Sequence, residues 1–155
     1  MSLHDLMRSS GGPGRVGWIG LRPARLAGVV AVAEAAIGAG GLAGDHGRAG
    51  PRAVTLIQAE HLAVIAALLG REVQARVLRR NLVVAGINLN ALKAREVGIG
   101  GAVLRLGVPC HPCSRMEAAL GPGGYAAMRG HGGWCAEVLR SGQVAVGDAV
   151  RALDA

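Results

Sequence analysis

Two segments near the start of the chain, Val16-Gly17-Trp18-Ile19-Gly20-Leu21 and Gly28-Val29-Val30-Ala31-Val32, decide the fold class. Both are short, rich in β-branched residues and punctuated by Pro23 and Gly28, which is the composition of strands. Further along, Arg79-Arg80-Asn81-Leu82-Val83-Val84-Ala85-Gly86 reads as a basic lead-in to a buried strand. An internal echo, Ile99-Gly100-Gly101-Ala102-Val103 and Val146-Gly147-Asp148-Ala149-Val150, gives two more turns that each feed a strand. The clearest helix is expected to begin at Thr55, because Thr55-Leu56-Ile57-Gln58 matches a capping box with Val54 as a staple. Leu62, Ile65 and Leu69 then share one face, and Gly70 supplies the stop. Many short strands with glycine turns and one good helix predict a mainly β domain with a few helices, closed in a barrel-like manner.

The composition supports that picture. Of 155 residues, 51% are hydrophobic, yet only 2% are aromatic and none is Phe, so the core is built from Val, Leu, Ile and Ala. The length suits one domain with a real core. Residues 1–14, with Ser9-Ser10-Gly11-Gly12-Pro13-Gly14, read as a flexible leader, and a single domain is expected over 15–155. Gly38 to Gly50 reads as a loop carrying Asp45 and His46. The apolar run from Leu26 to Ala43 is mostly Ala and Gly with Glu34 near its middle, which argues for β structure and against a membrane span.

The formal charge of +7 would ordinarily suggest a nucleic acid partner. Lys93 is the one lysine, however, there is no Lys/Arg run, and one Tyr and two Trp offer little for base stacking. A small anionic ligand needs only two or three of the arginines. The polar opening Met1-Ser2-Leu3-His4-Asp5 is not an export signal. Three cysteines, two of them in Cys110-x-x-Cys113, fit a reducing compartment, and a cytoplasmic location is expected.

Cys113 is the leading site residue. It precedes Ser114-Arg115-Met116-Glu117, a second capping-box pattern, and Gly121-Pro122 closes the short helix after Leu120. Helix-start N–H groups and Arg115 favour a thiolate there, as metal ligation or sulfur transfer requires. Three other readings stand beside this one. Cys113 is a plain buried thiol; or Cys110, Cys113, His131 and Cys135 form a finger-like zinc site in a non-enzymatic interaction domain; or Cys110 and Cys113 are a dithiol redox pair. Against zinc, Cys135 opens an apparent strand, Cys135-Ala136-Glu137-Val138-Leu139, whose alternation turns it toward the core. Arg79, Arg80 and Asn81 offer two forked cations and an amide for an oxyanion, or else form a solvated turn. His131 and Gly132 lie in a glycine loop from Arg129 to Gly133 that either approaches a ligand or is simply mobile.

Taken in order, Gly41-Leu42-Ala43-Gly44-Asp45-His46, Val54 to Leu62, Arg79 to Leu89, Pro109-Cys110-His111-Pro112-Cys113 and Gly142-Gln143-Val144-Ala145-Val146-Gly147-Asp148 resemble the MOSC family, named for the C-terminal domain of molybdenum cofactor sulfurase. The likeness runs from about Arg15 to Leu153. It implies a β-barrel-like domain that binds the molybdenum cofactor, with Cys113 matching the family cysteine that ligates metal or carries sulfur. It further implies that Arg79, Arg80 and Asn81 hold the pterin phosphate and that the 129–133 loop closes over the cofactor. Family members include cofactor sulfurases, reductases of N-hydroxylated compounds and stand-alone bacterial proteins, and this chain resembles the last kind. It has no room for the pyridoxal-phosphate domain of full-length sulfurases, nor for a flavin or haem domain, so an oxidoreductase or sulfurtransferase role implies an electron-donor or sulfur-donor partner. Many relatives place an Arg between the Asp and the His of the Gly44-Asp45-His46-Gly47 loop, and this chain does not.

Overall fold

The computed structural model describes residues 1–153. A short helix α1 (Leu3–Met7) precedes β1 (Gly14–Leu21), β2 (Val30–Val32), β3 (Glu34–Gly38) and β4 (Gly41–Leu42). Then come β5 (Val54–Gln58), α2 (Ala59–Leu69), α3 (Ala75–Leu78), β6 (Leu82–Ala85) and a 3-10 turn at Leu89–Leu92. The remainder is β7 (Glu96–Ile99), β8 (Ala102–Pro109), α4 (Ser114–Leu120), α5 (Gly124–Met128), β9 (Trp134–Arg140), β10 (Gly142–Ala145) and β11 (Ala149–Ala152).

The main sheet runs β11-β7-β8-β9-β5-β6-β1-β2, and Gly14↔Val150 with Arg15↔Ala149 join β1 back to β11. The expected barrel is therefore closed by seven strands, with β2 paired to β1 outside the ring. Every pairing is antiparallel except β5 with β6, which are parallel and connected through α2 and α3. The echoed motifs meet in space, since Val150 of β11 pairs with Ile99 of β7. The run from 26 to 43 supplies β2, β3 and β4, and β3 bridges β10 and β4 in a second small sheet. Among the described residues no helix is long and apolar enough to cross a membrane.

Two apolar clusters explain why β5 and β6 are continuous hydrophobic runs. Leu56, Leu82 and Val84 point into the barrel with Ile19, Leu104 and Leu106. Ile57 and Val83, one residue out of phase, face a layer made by Ile65, Leu78, Met116, Leu120 and Met128 of the helices. Strands covered on both faces lose the polar alternation that marks a half-exposed strand.

That double burial corrects the expected start of the helix. Val54–Gln58 is a strand with all five residues buried, and α2 begins at Ala59 with Gln58 as its N-cap, without a side-chain cap bond. Thr55 caps nothing; its hydroxyl exchanges hydrogen bonds with Asn81. The expected stop holds, because Gly70 takes the left-handed conformation at φ 68°. The loop from Gly38 to Gly50 also contains strand β4, paired through Ile37↔Leu42. Residues 1–14, read as a leader, carry α1, none of whose residues is buried, and Ser10 O accepts a hydrogen bond from Asn88 N at 2.8 Å.

A buried polar hub ties the loop after β4 to the barrel. The Asp45 carboxylate is unexposed and accepts from Arg22 N (2.6 Å), Nε (3.1 Å) and Nη2 (2.9 Å), from Gly47 N (2.9 Å) and from Asn81 Nδ2 (3.1 Å). Asn81, also fully buried, accepts from Thr55 N at 3.0 Å and donates to Gly20 O at 3.0 Å. Burial alone would raise the Asp45 carboxyl, but the side-chain and backbone hydrogen bonds from Arg22, its charge and the Gly47 N–H outweigh it, and the group sits below its ordinary value.

Two outcomes follow for stability. Ile65→Ala, at a fully buried position, is expected to cost about 2–5 kcal/mol in denaturant melts, whereas Val64→Ala, on the exposed face, should change stability by less than about 0.5 kcal/mol; equal effects would mean that α2 docks by another face. Asp45→Ala leaves Arg22 and Asn81 without their partner and should cost about 3–5 kcal/mol. Because the folded Asp45 is held below its unfolded value near 3.8, its contribution is complete above that pH and is lost as pH falls through the lower folded value. The stability difference between wild type and Asp45→Ala should therefore shrink on acidification below about pH 4, and a difference that grew there would refute the assignment.

Candidate functional site

Two cavities lie side by side at the end of the barrel where β8 hands over to α4. The larger, about 610 Å³, is lined by Arg22, Arg48, Arg52 and Arg80, with His46, His111, Cys110 and Cys135. The smaller, about 370 Å³, is lined by Gln58, His61, Asn90, Pro112, Arg129 and Trp134 together with Gly130, Gly132 and Gly133. Pro109, Cys110 and His111 line both, so this short segment is their common wall.

The wall is set by the sheet. Register between β8 and β9 pairs Pro109 with Trp134, and Cys110 N donates to Gly133 O at 2.9 Å. Gly132 and Gly133 are required here. A Cβ on Gly132 would strike the Cys110 carbonyl, and one on Gly133, which has φ 87°, would strike the Leu56 carbonyl. Trp134 in turn donates from Nε1 to Asn90 Oδ1 at 3.0 Å, fixing the far side of the smaller cavity.

The cysteines divide into a pair and an outlier. Cys110 and Cys135 place their sulfurs 2.9 Å apart, one half-buried and one buried. The hydrogen bond from Cys110 lowers the Cys135 thiol against the effect of its burial, and the charges of Arg80, Arg52 and Arg22 add to the lowering. The same contact raises Cys110, so the two thiols share a proton unequally, with the negative charge favoured on Cys135. Cys113 is exposed and stands at the head of α4 as expected, but as the N-cap itself, with Ser114 the first helical residue. Its expected capping box is absent; Glu117 instead accepts from Gly123 N and Tyr125 N, bracing the turn between α4 and α5.

The four residues considered for zinc do not assemble. Cys110 and Cys135 meet, but His131 stacks edge-on against His61 with ring centroids 5.1 Å apart and places Nδ1 3.1 Å from Ala127 O. Among the described residues no group of three or more His, Cys, Asp or Glu is placed to hold a metal.

The basic triplet also divides. Arg79 sits in the left-handed conformation and spends its fork on the carbonyls of Ala27 and Ala24, so it holds the 22–28 loop instead of presenting itself to a ligand. Asn81 lines neither cavity: every polar group of its side chain is engaged in the hub described above, which removes it from the expected phosphate site. Arg80 does line the larger cavity, using Nε for Gly132 O (2.9 Å) and Nη1 for Leu78 O (2.7 Å). Arg115 is exposed and close enough to Arg79 to depress it, after burial and Arg22. Gly132 is buried against the common wall; His131 is half-buried beside it.

Sequence reasoning missed Arg22, Arg48 and Arg52. They follow β1 or sit in the loop 43–53, where nothing in their spacing announces a common target. His61 was missed as well. It lies on α2, and burial, then the charge of His131, pulls its imidazole below the ordinary value against the opposing pull of Glu60.

Comparison with known proteins bears on this geometry. The family model for the MOSC domain matches residues 43–151. The YuaD protein from Bacillus subtilis has a similar fold, with a TM-score of 0.77 at 19% identity, covering 88% of this chain and 93% of that one. YiiM from Geobacillus stearothermophilus gives 0.75 at 20% identity, covering 92% and 76%, and YiiM from Escherichia coli gives 0.72 at 20%, covering 91% and 70%. No curated protein matches the chain in sequence. The match spans the loop that carries Asp45, the cavity arginines Arg48, Arg52 and Arg80, all three cysteines and the barrel strands from β5 to β9, and on that match the chain belongs to the MOSC domain family.

Proposed function

We propose that this chain is a molybdenum-cofactor-binding domain in which the Cys113 thiolate ligates the metal or carries sulfur. The MOSC family is associated with that cofactor, and the observation in this chain that carries the reading is the concentration of Arg22, Arg48, Arg52 and Arg80 around one cavity. Guanidinium groups suit a phosphorylated pterin, because each offers a forked, charge-assisted donor set that stays protonated. The donor chemistry also fits molybdenum, for which thiolate sulfur is a suitable soft ligand.

The roles divide as follows. Arg80 and Arg52 hold the phosphate, with Arg48 at the same loop and Arg115 adding positive field from the start of α4. Arg80 already braces Gly132, so an anion at its remaining N–H groups is coupled to the 129–133 loop, in which His131 and Gly132 flank the ligand. Cys113 follows Pro112, a lining residue of the smaller cavity, and supplies the sulfur. The bound cofactor supplies two-electron redox or sulfur-transfer chemistry, which needs an electron donor or sulfur donor from a second protein. Within the chain, the residues of the wall position the ligand and exclude water from it.

Elemental and pterin analysis of protein made in a cofactor-producing host tests the reading. Molybdenum and extractable pterin in equal amounts are expected, and stoichiometric zinc without pterin would overturn it. Cys113→Ser should lose molybdenum or sulfur loading while Cys110→Ser keeps much of it. Arg52→Ala, at an exposed position, removes a charge-assisted bond of about 1.5–3 kcal/mol and should weaken retention by about one to two powers of ten without shifting Tm; unchanged pterin content in an Arg48→Ala, Arg52→Ala double mutant would remove the phosphate site.

A further inference from the structure

We propose that Cys110 and Cys135 form a reversible intramolecular disulfide across the wall of the basic cavity, an oxidation site separate from Cys113. The inference holds whatever ligand the cavity takes, because it rests on the sheet register. Pro109 opposes Trp134 and Cys110 N–H bonds Gly133 O, so Cys110, one residue past the end of β8, lies diagonally across from Cys135 of β9, which pairs with Val108. Their sulfurs lie 2.9 Å apart, in contact, against a bonded separation of about 2.05 Å.

Access and activation come from the same cavity. Both cysteines line it, so a small oxidant reaches them although Cys135 is buried in the fold. Arg22, Arg52 and Arg80 line it too, and their field stabilises a thiolate there. Peroxide is the oxidant class that fits the opening. The Cys135 thiolate attacks one peroxide oxygen, breaking the O–O bond, and after proton uptake leaves a sulfenic acid and water. Cys110 sulfur then attacks the sulfenic sulfur; the S–S bond forms as the S–O bond breaks, and the Cys110 proton leaves with the hydroxyl as a second water. Two thiols and one hydrogen peroxide give one disulfide and two waters, with two electrons passing from sulfur to oxygen. A dithiol reductant reverses the bond by thiol–disulfide exchange.

Cys113 is set apart by its placement, exposed at the head of α4, while the sulfur contact is made between Cys110 and Cys135. The disulfide consumes the thiol of Cys110, a residue that lines both cavities, and ties their shared wall covalently to β9.

The reduced 155-residue chain, freed of reductant and treated with a small excess of hydrogen peroxide, should lose two of its three titratable thiols and recover them with dithiothreitol. Mass spectrometry should show tryptic peptides 106–115 and 130–140 joined with the loss of two hydrogens. Since the first peptide contains both Cys110 and Cys113, the variants decide: Cys113→Ser should cross-link fully and Cys110→Ser not at all, with a dimedone adduct on Cys135 instead. Cross-linking that survives in Cys110→Ser and fails in Cys113→Ser would overturn the pairing. So would three free thiols in the treated wild type, or disulfides only between chains. Should Cys110→Ser fail to fold, the wild type and Cys113→Ser still decide the matter, because both keep the pair intact.

Discussion

A carboxylate buried beneath the loop 43–53 constrains much of what lies around it. The Asp45 side chain has no exposure, and a buried charge is tolerated only if it is paired and its lone pairs are filled. Arg22 supplies three donors, Gly47 and Asn81 one each, and among the described residues no buried side-chain polar atom is left without a partner. Asn81 extends the same network to Gly20 of β1 and Thr55 of β5. One amide thus reads two barrel strands and one loop at once, and small displacements of any of the three would leave a buried group unsatisfied. The loop that carries Arg48 and Arg52 is hung from the barrel at that point, which is how their charges come to line the same cavity as Arg80 and the two adjoining thiols.

Much of the barrel was legible in the sequence because short β-branched segments between glycines have few alternatives. The Val16–Leu21 segment is the body of β1, and the echoed turns at 99–103 and 146–150 proved to be neighbours in the closure of the barrel. The failure at Val54–Gln58 has a definite cause. A strand covered by the barrel interior on one face and helices on the other is apolar throughout, and a Thr ahead of such a run looks like a helix cap. What separates the two is the partner of the Thr55 hydroxyl, and that partner, Asn81, lies 26 positions away.

The site was legible in the same local sense. The position of Cys113 at the head of a helix follows from the residues next to it, and the structure keeps it there. The pairing of Cys110 with Cys135 does not, because it depends on the register of two strands with two helices between them. The arginine triplet shows the converse limit. Adjacent residues share a sequence context, yet Arg79 turns to the 22–28 loop, Arg80 to the cavity wall and Asn81 into the interior. A left-handed residue followed by a strand start sends three consecutive side chains in three directions, so residues adjacent in sequence do not share one target.

The two cavities differ in kind, and their common wall makes that difference usable. On one side the lining is cationic and contains the thiol pair; on the other it offers an amide at Gln58, the imidazole of His61 and Trp134, with Arg129 at its edge. Pro109 to His111 separates them by a single thickness of backbone, held by Gly133 and backed by Gly132, where no side chain would fit. On the proposed reading, an anionic cofactor held by the arginines lies against this wall, while a second, less charged molecule has room beyond it. Segregating charge in this way lets the cationic side be satisfied by the cofactor alone, since a neutral or weakly charged co-reactant gains nothing from competing for the arginines. The cysteine in the wall itself is Cys110, whereas Cys113, the sulfur of the proposed reading, follows Pro112 at the margin of the smaller space, so the wall and the ligating thiol are set by the same short segment.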